Sequence, residues 1–308
     1  MLIVAGKGGV GKTTVSAALA CLASRHGLST LILEIEGTSG LAAAFGQDDR
    51  LSYEESVLRP AVDGHGEIRA RTLTPDDALI EYLKDHGMGR ISKRLTHSGA
   101  LDVVATAVPG IRDILVLGKV KGLERAAAAD LIVLDAPAAG HAVSFLMSAR
   151  GLLDAARVGP IQSQATEVIA LLTDPKRSQV LLVTLPEETP VNEVVDTAFQ
   201  LEDRVGVKLA GVVVNGLYAT VEGLDTDPVD AAASAGASLR PGEADTLRAA
   251  ARFRLDRQRL QEEQVGRLTG RLPLPQLRVP FLFTTDVGPA EVQTLSAALG
   301  EAVQELTG

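Results

Sequence analysis

A glycine-rich segment near the start of the chain holds the side chains best suited to chemistry on a phosphate group. Residues 6–14 read GKGGVGKTT, which fits the phosphate-binding pattern G-x-x-x-x-G-K-[ST]. Glycines lack a Cβ, so backbone N–H groups can approach phosphate oxygens closely. The start of a helix also favours an anion through its free N–H groups and its dipole. The segment therefore predicts a site for ATP and Mg²⁺.

Two side chains of this loop have separate expected roles. Lys12 would reach the β- and γ-phosphates, and the Thr13 hydroxyl would be a ligand of Mg²⁺. The residues expected to surround the nucleotide are Gly6, Gly8, Gly9, Val10, Gly11, Lys12, Thr13 and Thr14.

Two other interpretations of the loop remain open at this point. A glycine-rich turn between a strand and a helix can occur by chance and bind nothing. Gly6, Gly8 and Gly11 also fit the dinucleotide pattern G-x-G-x-x-G, and Glu34 and Glu36 stand where a ribose-binding acid belongs. A nicotinamide enzyme, however, has no need of Lys12 followed by Thr13. ATP is therefore the favoured ligand and NAD the alternative.

A second acidic position follows a buried strand further along the chain. Asp135 ends the apolar run 130–135, and a carboxylate at this position of a phosphate-loop NTPase orders Mg²⁺, usually through water. The loop after it contains Gly140, whose backbone N–H could sense the γ-phosphate. His141, next in the chain, is more often structural.

The composition describes an ordinary globular chain. Of 308 residues, 46% are hydrophobic and 22% charged, and the formal net charge is −9. An acidic chain argues against nucleic acid or an anionic membrane surface as a general partner. Met1 leads directly into the first strand, without a signal peptide, and no apolar run reaches the roughly 18 residues of a membrane span. The single cysteine, Cys21, forms no internal disulfide, so we expect a cytoplasmic protein.

Strands that alternate with helices predict an α/β fold with a doubly wound, mostly parallel sheet. A ligand of such a sheet lies beyond the carboxyl ends of its strands, where the phosphate loop and Asp135 would meet. The sequence predicts strands at 1–5, 29–36, 67–73, 130–135, 179–184, 209–215 and 277–282, with 67–73 at the edge. Helices are expected at 11–26, from 41, 74–85, within 87–121 with a break at 109–110, within 141–175, and at 190–205, 241–268 and from 289.

Two helical stretches have no strand partners of their own. Residues 74–121 and 141–175 are expected to form an α-helical subdomain inserted into one phosphate-loop ATPase domain that spans 1–308. The stretch 219–242, rich in Ala, Asp, Gly and Ser, is the least ordered in appearance.

Lys7 makes the loop resemble that of the deviant Walker-A ATPases, which carry a second lysine near its start. More narrowly, the chain resembles the arsenical pump-driving ATPases and the tail-anchored-protein-targeting ATPases. The family's D-T-A-P-T-G-H pattern is similar to 135–141, and its Pro-Gly-Ile, Pro-Glu, Val-Asn and Val-Pro elements correspond to 109–111, 186–187, 214–215 and 279–280. The resemblance implies that Lys7 crosses a dimer interface to the partner's nucleotide, that Asn215 reads adenine, and that Pro280 lies at the nucleotide.

The chain departs from this family in one catalytic position. The family's switch I aspartate orients the attacking water, and Glu36 occupies the aligned position here. A carboxylate displaced by about one bond length can cost about a hundredfold in rate, so slow hydrolysis is expected.

Other departures concern partners. With one cysteine and three methionines in all, the chain has no Cys-x-x-Cys pair for a structural zinc, no arsenic-binding cysteines and no methionine-rich client groove. Actinobacterial relatives with the same Glu-Gly switch resemble one half of a paired system. The partner expected is therefore a second copy or a paralogous ATPase, together with a membrane-protein client or a pump subunit.

The function indicated is a Mg²⁺-dependent ATPase that works as a nucleotide-gated homodimer or heterodimer. The alternative is a nucleotide-binding regulatory half of a heterodimer that hydrolyses little, with Glu36 in its favour. A cell-division or chromosome-partitioning ATPase shares the loop, but 291–308 is acidic and has no basic amphipathic membrane helix. A nitrogenase-type iron protein is excluded because it needs bridging cysteines.

Overall fold

A computed structural model describes residues 1–35, 40–85, 110–155 and 160–307. The strands are β1 Leu2–Gly6, β2 Thr30–Ile35, β3 Ser56–Arg59, β4 Ile68–Leu73, β5 Leu131–Ala138, β6 Gln179–Thr184, β7 Leu209–Leu217 and β8 Gln276–Pro280. The helices are α1 Lys12–Arg25, α2 Leu41–Ala44, α3 Pro75–Asp85, α4 Ile111–Arg125, α5 Ala139–Ala155, α6 Pro160–Thr173, α7 Glu188–Gln200, α8 Pro228–Ser234, α9 Glu243–Arg271 and α10 Pro289–Thr307. A π-helical turn, Leu201–Val205, continues α7.

The strands form one sheet in the order β3-β4-β2-β5-β1-β6-β7-β8. Every neighbouring pair is parallel except β3 and β4, which are antiparallel. The predicted α/β class with a mostly parallel sheet is confirmed. Because β1 lies between β5 and β6, the loop that follows it stands at the middle of the carboxyl edge, with neighbours on both sides.

Helices cover both faces of the sheet, so the central strands are buried on both sides. One face packs α1, α2 and α10 against residues such as Val4, Ile32 and Val133. The other face packs α4, α5, α6, α7 and α9 against residues such as Ile3 and Leu134. Alternate side chains of a strand point to opposite faces, so strands covered on both faces are mostly apolar, and the charged exceptions of β2 and β5, Glu34 and Asp135, stand near the carboxyl edge.

The predicted helical stretches join this core directly. Buried residues of α4, α5 and α6 belong to the same apolar cluster as the sheet residues of that face. The boundaries of a separate helical subdomain remain a prediction, and residues 86–109 and 156–159 lie outside the described residues. Across the described part of the chain, no helix is both long enough and apolar enough to cross a membrane.

Several local predictions can be compared with the structure. The predicted helix start at Thr74 is confirmed, because Thr74 Oγ1 accepts from the Asp77 N–H at 3.2 Å. The Asp77 carboxylate accepts from the Thr74 hydroxyl at 2.6 Å. The prediction that 67–73 is an edge strand is wrong, because the short β3 pairs outside β4. Strand β3 has four residues, too few for a period-two pattern to be recognised. A further helix, α8, occupies part of the stretch expected to be least ordered.

The first testable prediction concerns Gly6, the last residue of β1. A Cβ placed on Gly6 would lie 2.3 Å from the backbone oxygen of Val183 in β6, closer than real Cβ atoms approach. We expect Gly6→Ala to lower the free energy of unfolding by roughly 1–3 kcal/mol, since a buried backbone must move to admit the methyl group. Urea unfolding measures this.

Gly122→Ala is the matched control for that experiment. Gly122 lies in α4 with nothing within 4 Å of an added Cβ, so alanine should stabilise the helix by up to about 1 kcal/mol. Equal effects of the two substitutions would contradict the close contact between β1 and β6.

Candidate nucleotide site

The loop between β1 and α1 has a backbone that only glycine adopts readily. Gly9 and Gly11 have φ values of +84° and +90°, in the left-handed region that disfavours other residues. A Cβ on Gly11 would also lie 2.4 Å from the Asn215 side-chain nitrogen. No side chain caps the start of α1 at Gly11, so the first N–H groups of this helix are left for another acceptor. These features fit a phosphate group.

Lys12 folds back over the loop. Its Nζ donates to the backbone oxygen of Lys7 at 3.1 Å. Burial lowers the pKa of the Lys12 ammonium, and the nearby Asp135 carboxylate opposes that change. A partly desolvated cation at the centre of a backbone cradle is suited to bind the terminal phosphates of a nucleotide.

Thr13 and Asp135 meet at the start of α1 although they are 122 residues apart in the chain. The Thr13 hydroxyl donates to one carboxylate oxygen of Asp135 at 2.6 Å, and the Ser16 hydroxyl lies 3.4 Å from the other. A hydroxyl and a carboxylate are the hard oxygen ligands that Mg²⁺ accepts, with water and phosphate oxygens completing its shell. The two residues predicted to hold the metal are therefore brought together and fit it.

Asp135 is buried, with 6% of its surface exposed. Burial raises the pKa of this carboxyl to about 6, against the hydrogen bond from Thr13 and the charge of Lys12. The charge of Glu34 raises this pKa as well. Without a cation, Asp135 therefore takes up a proton more readily than an exposed aspartate does.

Glu34 is the buried carboxylate that sequence reasoning considered only as a ribose ligand. It stands in β2 in register with Asp135 of β5, so both side chains point to the same face of the sheet. Its carboxylate accepts a hydrogen bond from the Thr72 hydroxyl at 2.7 Å. The sequence did contain a sign of this role, because Glu34 is a charged residue among the apolar residues of β2.

The remaining predicted nucleotide contacts lie at the same edge of the sheet. The Asn215 side-chain N–H donates to the backbone oxygen of Val10 at 2.9 Å, so this amide touches the phosphate loop. Pro280, half-buried, ends β8 beside Leu217 of β7. Gly140 is exposed at the start of α5. Glu36, the expected water-positioning residue, lies outside the described residues.

Lys7 stands apart from the phosphate cradle. Its Nζ forms an ion pair with Glu193 of α7 at 2.8 Å, a partner that sequence reasoning missed because the two residues are 186 positions apart. The pair borders an open cavity of about 460 Å³. The cavity is lined by Lys7, Gly8, Ala138, Gly140, Val143, Ser144, Met147, Glu193, Asp196, Thr197, Gln200 and Arg204.

Comparison with known proteins agrees with this geometry. A family model described as "Anion-transporting ATPase" matches residues 1–155. The chain is 33% identical over 220 residues to the ATPase BagA of Mycobacterium tuberculosis, which covers 69% of this chain and 64% of that protein. It is 29% identical over 219 residues to the arsenical pump-driving ATPase of Escherichia coli, covering 70% of this chain and 34% of that protein.

A fungal relative matches a shorter part. The ATPase get3 of Aspergillus niger is 28% identical over 148 residues, which covers 47% of this chain and 41% of that protein. The chain thus spans less than two thirds of the length of each of these three relatives.

The second testable prediction follows from the raised pKa of Asp135. A carboxyl whose pKa rises on folding stabilises the protein below its unfolded pKa, and this contribution is lost as pH rises through about 6. In metal-free buffer at pH 8 we expect Asp135→Asn to be more stable than wild type by about 3 kcal/mol, since one pKa unit corresponds to about 1.4 kcal/mol. At pH 4 the two proteins should be nearly equal. Urea unfolding at both pH values measures the difference.

Asp130→Asn gives a control of opposite sign. Hydrogen bonds from Ser29 lower the pKa of the exposed Asp130, so this carboxylate stabilises the fold at pH 8 and loses that effect as pH falls. A difference between Asp135→Asn and wild type that does not change with pH would contradict the burial of an ionised Asp135.

Proposed function

This chain belongs to the anion-transporting ATPase family, and from that premise we propose that it is a Mg²⁺-dependent ATP hydrolase that works as a nucleotide-gated dimer. The observation that carries the proposal is the contact between Thr13 and Asp135 beside a backbone cradle that admits only glycine at two positions. A nicotinamide site would need the cradle alone. The hydroxyl, the carboxylate and Lys12 together suit a triphosphate with its metal ion.

The side chains divide the work by their positions. Lys12 and the N–H groups at the start of α1 would hold the β- and γ-phosphates. Thr13 would be a direct ligand of Mg²⁺, and Asp135 would hold it through water. Mg²⁺ held by these two residues would supply positive charge that offsets the charge of the phosphate oxygens. Asn215, which touches the loop from β7, would contact adenine, and Pro280 at the end of β8 would lie at the nucleotide.

Two further residues would act on the reaction itself. Glu36 would position the attacking water, and Gly140, on the exposed start of α5, would respond to the γ-phosphate. Lys7 of one subunit would reach the nucleotide of the other, where a cation stabilises the charge that develops during transfer. The expectation rests on the position of Lys7 in the loop and on its exposure at the rim of the site.

The partners proposed are a second copy of the chain or a paralogous ATPase, and a membrane-protein client or a pump subunit. The pump subunit is supported by a relative that is named an arsenical pump-driving ATPase. Cys21 is buried in α1, which leaves the chain no thiol for a zinc shared across a dimer.

Glu36 favours a second candidate function. A subunit in which the water is poorly positioned would bind nucleotide and change shape with little hydrolysis, as the regulatory half of a heterodimer. Turnover measured with and without a paralogue separates the two candidates.

The third testable prediction is the loss of ATP binding in Lys12→Ala. Removing a charged hydrogen bond from a polyphosphate should weaken Mg·ATP affinity roughly 10- to 100-fold in titration calorimetry. Lys208→Ala is the control, because Lys208 is exposed and precedes β7, at the opposite edge of the sheet. Wild-type affinity for Mg·ATP in Lys12→Ala would contradict the proposal that this loop binds the nucleotide. Tight binding of NAD instead of ATP would support the nicotinamide alternative.

The fourth prediction concerns Glu36. In single-turnover hydrolysis we expect Glu36→Gln to be slower by about 10²-fold, because positioning and proton transfer are each worth about that much. Nucleotide affinity should change little, since this carboxylate would contact water and not phosphate.

Glu36→Asp is the matched variant, because it keeps the charge and shortens the side chain. Its rate should equal or exceed that of wild type. An unchanged rate in Glu36→Gln would favour the regulatory subunit over the hydrolase.

A further inference from the structure

The ammonium of Lys7 is already occupied within its own subunit. Its ion pair with Glu193 has an N–O distance of 2.8 Å, and about 40% of each side chain is exposed. Glu193 approaches from α7, which lines the cavity together with α5. The lysine thus points along the rim of the site toward its own subunit's helix. Its backbone oxygen, meanwhile, accepts the hydrogen bond from Lys12.

Helix α7 is a fixed support for the Glu193 carboxylate. Val191, Val194 and Val195 on its other face are buried in the core. Arg267 and Arg271 of α9 both donate to the Asn192 side-chain oxygen, at 2.6 and 2.7 Å, and Arg257 pairs with Glu187 at 2.6 Å. The π-helical turn that follows α7 carries Arg204 to the same cavity. π-helical turns are rare and occur often at functional sites.

Lys7 and Glu193 therefore differ in conformational freedom. Glu193 belongs to a packed helix, whereas Lys7 is a flexible four-carbon stem on a loop. When the pair opens, the lysine is the group that moves. A surface pair of this exposure contributes at most a factor of about five to an equilibrium constant, so a polyphosphate with several charges can displace the carboxylate.

We infer that Glu193 is a positioning residue that holds Lys7 in the separated subunit and releases it when a second copy of the chain closes over the nucleotide. This inference rests on the proposed function, because it requires Lys7 to act across a dimer. Since the pair exists only before closure, it stabilises the separated state. Removing the carboxylate therefore shifts the equilibrium toward the closed dimer.

The fifth prediction tests this with Glu193→Gln, which keeps the shape of the side chain and removes its charge. In Mg·ATP, the protein concentration at which half of the subunits are dimeric should fall two- to fivefold in sedimentation velocity. The rate per assembled dimer, measured at saturating protein concentration, should equal that of wild type. The advantage of the variant should shrink in 1 M salt, because the pair that it lacks is exposed and screened by ions.

Three further variants separate the pair from general effects on α7. Asp196→Asn is the matched control: Asp196 lies one turn further along the same helix and lines the same cavity, while Lys7 pairs with Glu193. This variant should dimerise like wild type. Lys7→Ala should weaken dimerisation, and adding Glu193→Gln to Lys7→Ala should have no further effect, because the pair is already absent.

The outcomes distinguish this inference from the proposed function. The inference that Glu193 releases Lys7 would be overturned if Glu193→Gln dimerised like wild type. It would also be overturned if Glu193→Gln weakened dimerisation as much as Lys7→Ala does. A chain that binds Mg·ATP and stays monomeric at every concentration would overturn the dimer of the proposed function and, with it, this inference. Absence of Mg·ATP binding to wild type in calorimetry would instead overturn the proposed function.

Discussion

Burial of the Asp135 carboxylate at the start of α1 is the constraint on which the site depends. A charge in this position is costly, and the Thr13 hydroxyl and the Lys12 ammonium offset only part of the cost of its burial. These contacts join β5 to the loop that leaves β1. The distance between the Thr13–Asp135 pair and the backbone cradle is thereby fixed before any ligand binds, which lowers the ordering that binding requires.

The sheet makes that arrangement rigid. Strand β1 lies between β5 and β6, and the absence of a Cβ on Gly6 lets its backbone approach the Val183 carbonyl closely. Apolar layers on both faces leave no space for β5 to move relative to β1. Groups carried by four strands then converge on one edge: the phosphate loop after β1, Asp135 on β5, Asn215 on β7 and Pro280 on β8.

Helix α7 connects this rigid edge to the surface on which a partner would close. Its buried face belongs to the core, its polar face carries Glu193 to Lys7, and arginines of α9 hold it from outside. The arrangement places a mobile cation against a fixed carboxylate, at the border of an open cavity. Surface ion pairs contribute little to stability, so this contact is better suited to exchange partners than to hold the fold together.

Local sequence patterns alone predicted the phosphate loop, the fold class and the start of α3. The glycine spacing, Lys12 and Thr13 identify the phosphate loop, because the geometry of that loop is set within nine consecutive residues. The alternation of apolar runs with helical periods gave the α/β class, and Thr74 with Asp77 marked the start of α3. Only the tertiary structure placed β3 outside β4, Glu34 beside Asp135 and Glu193 against Lys7. Those contacts depend on strand order and register. Sequence periodicity predicts which face of an element a residue occupies. It does not predict that Glu193 lies against Lys7, because the two residues are 186 positions apart.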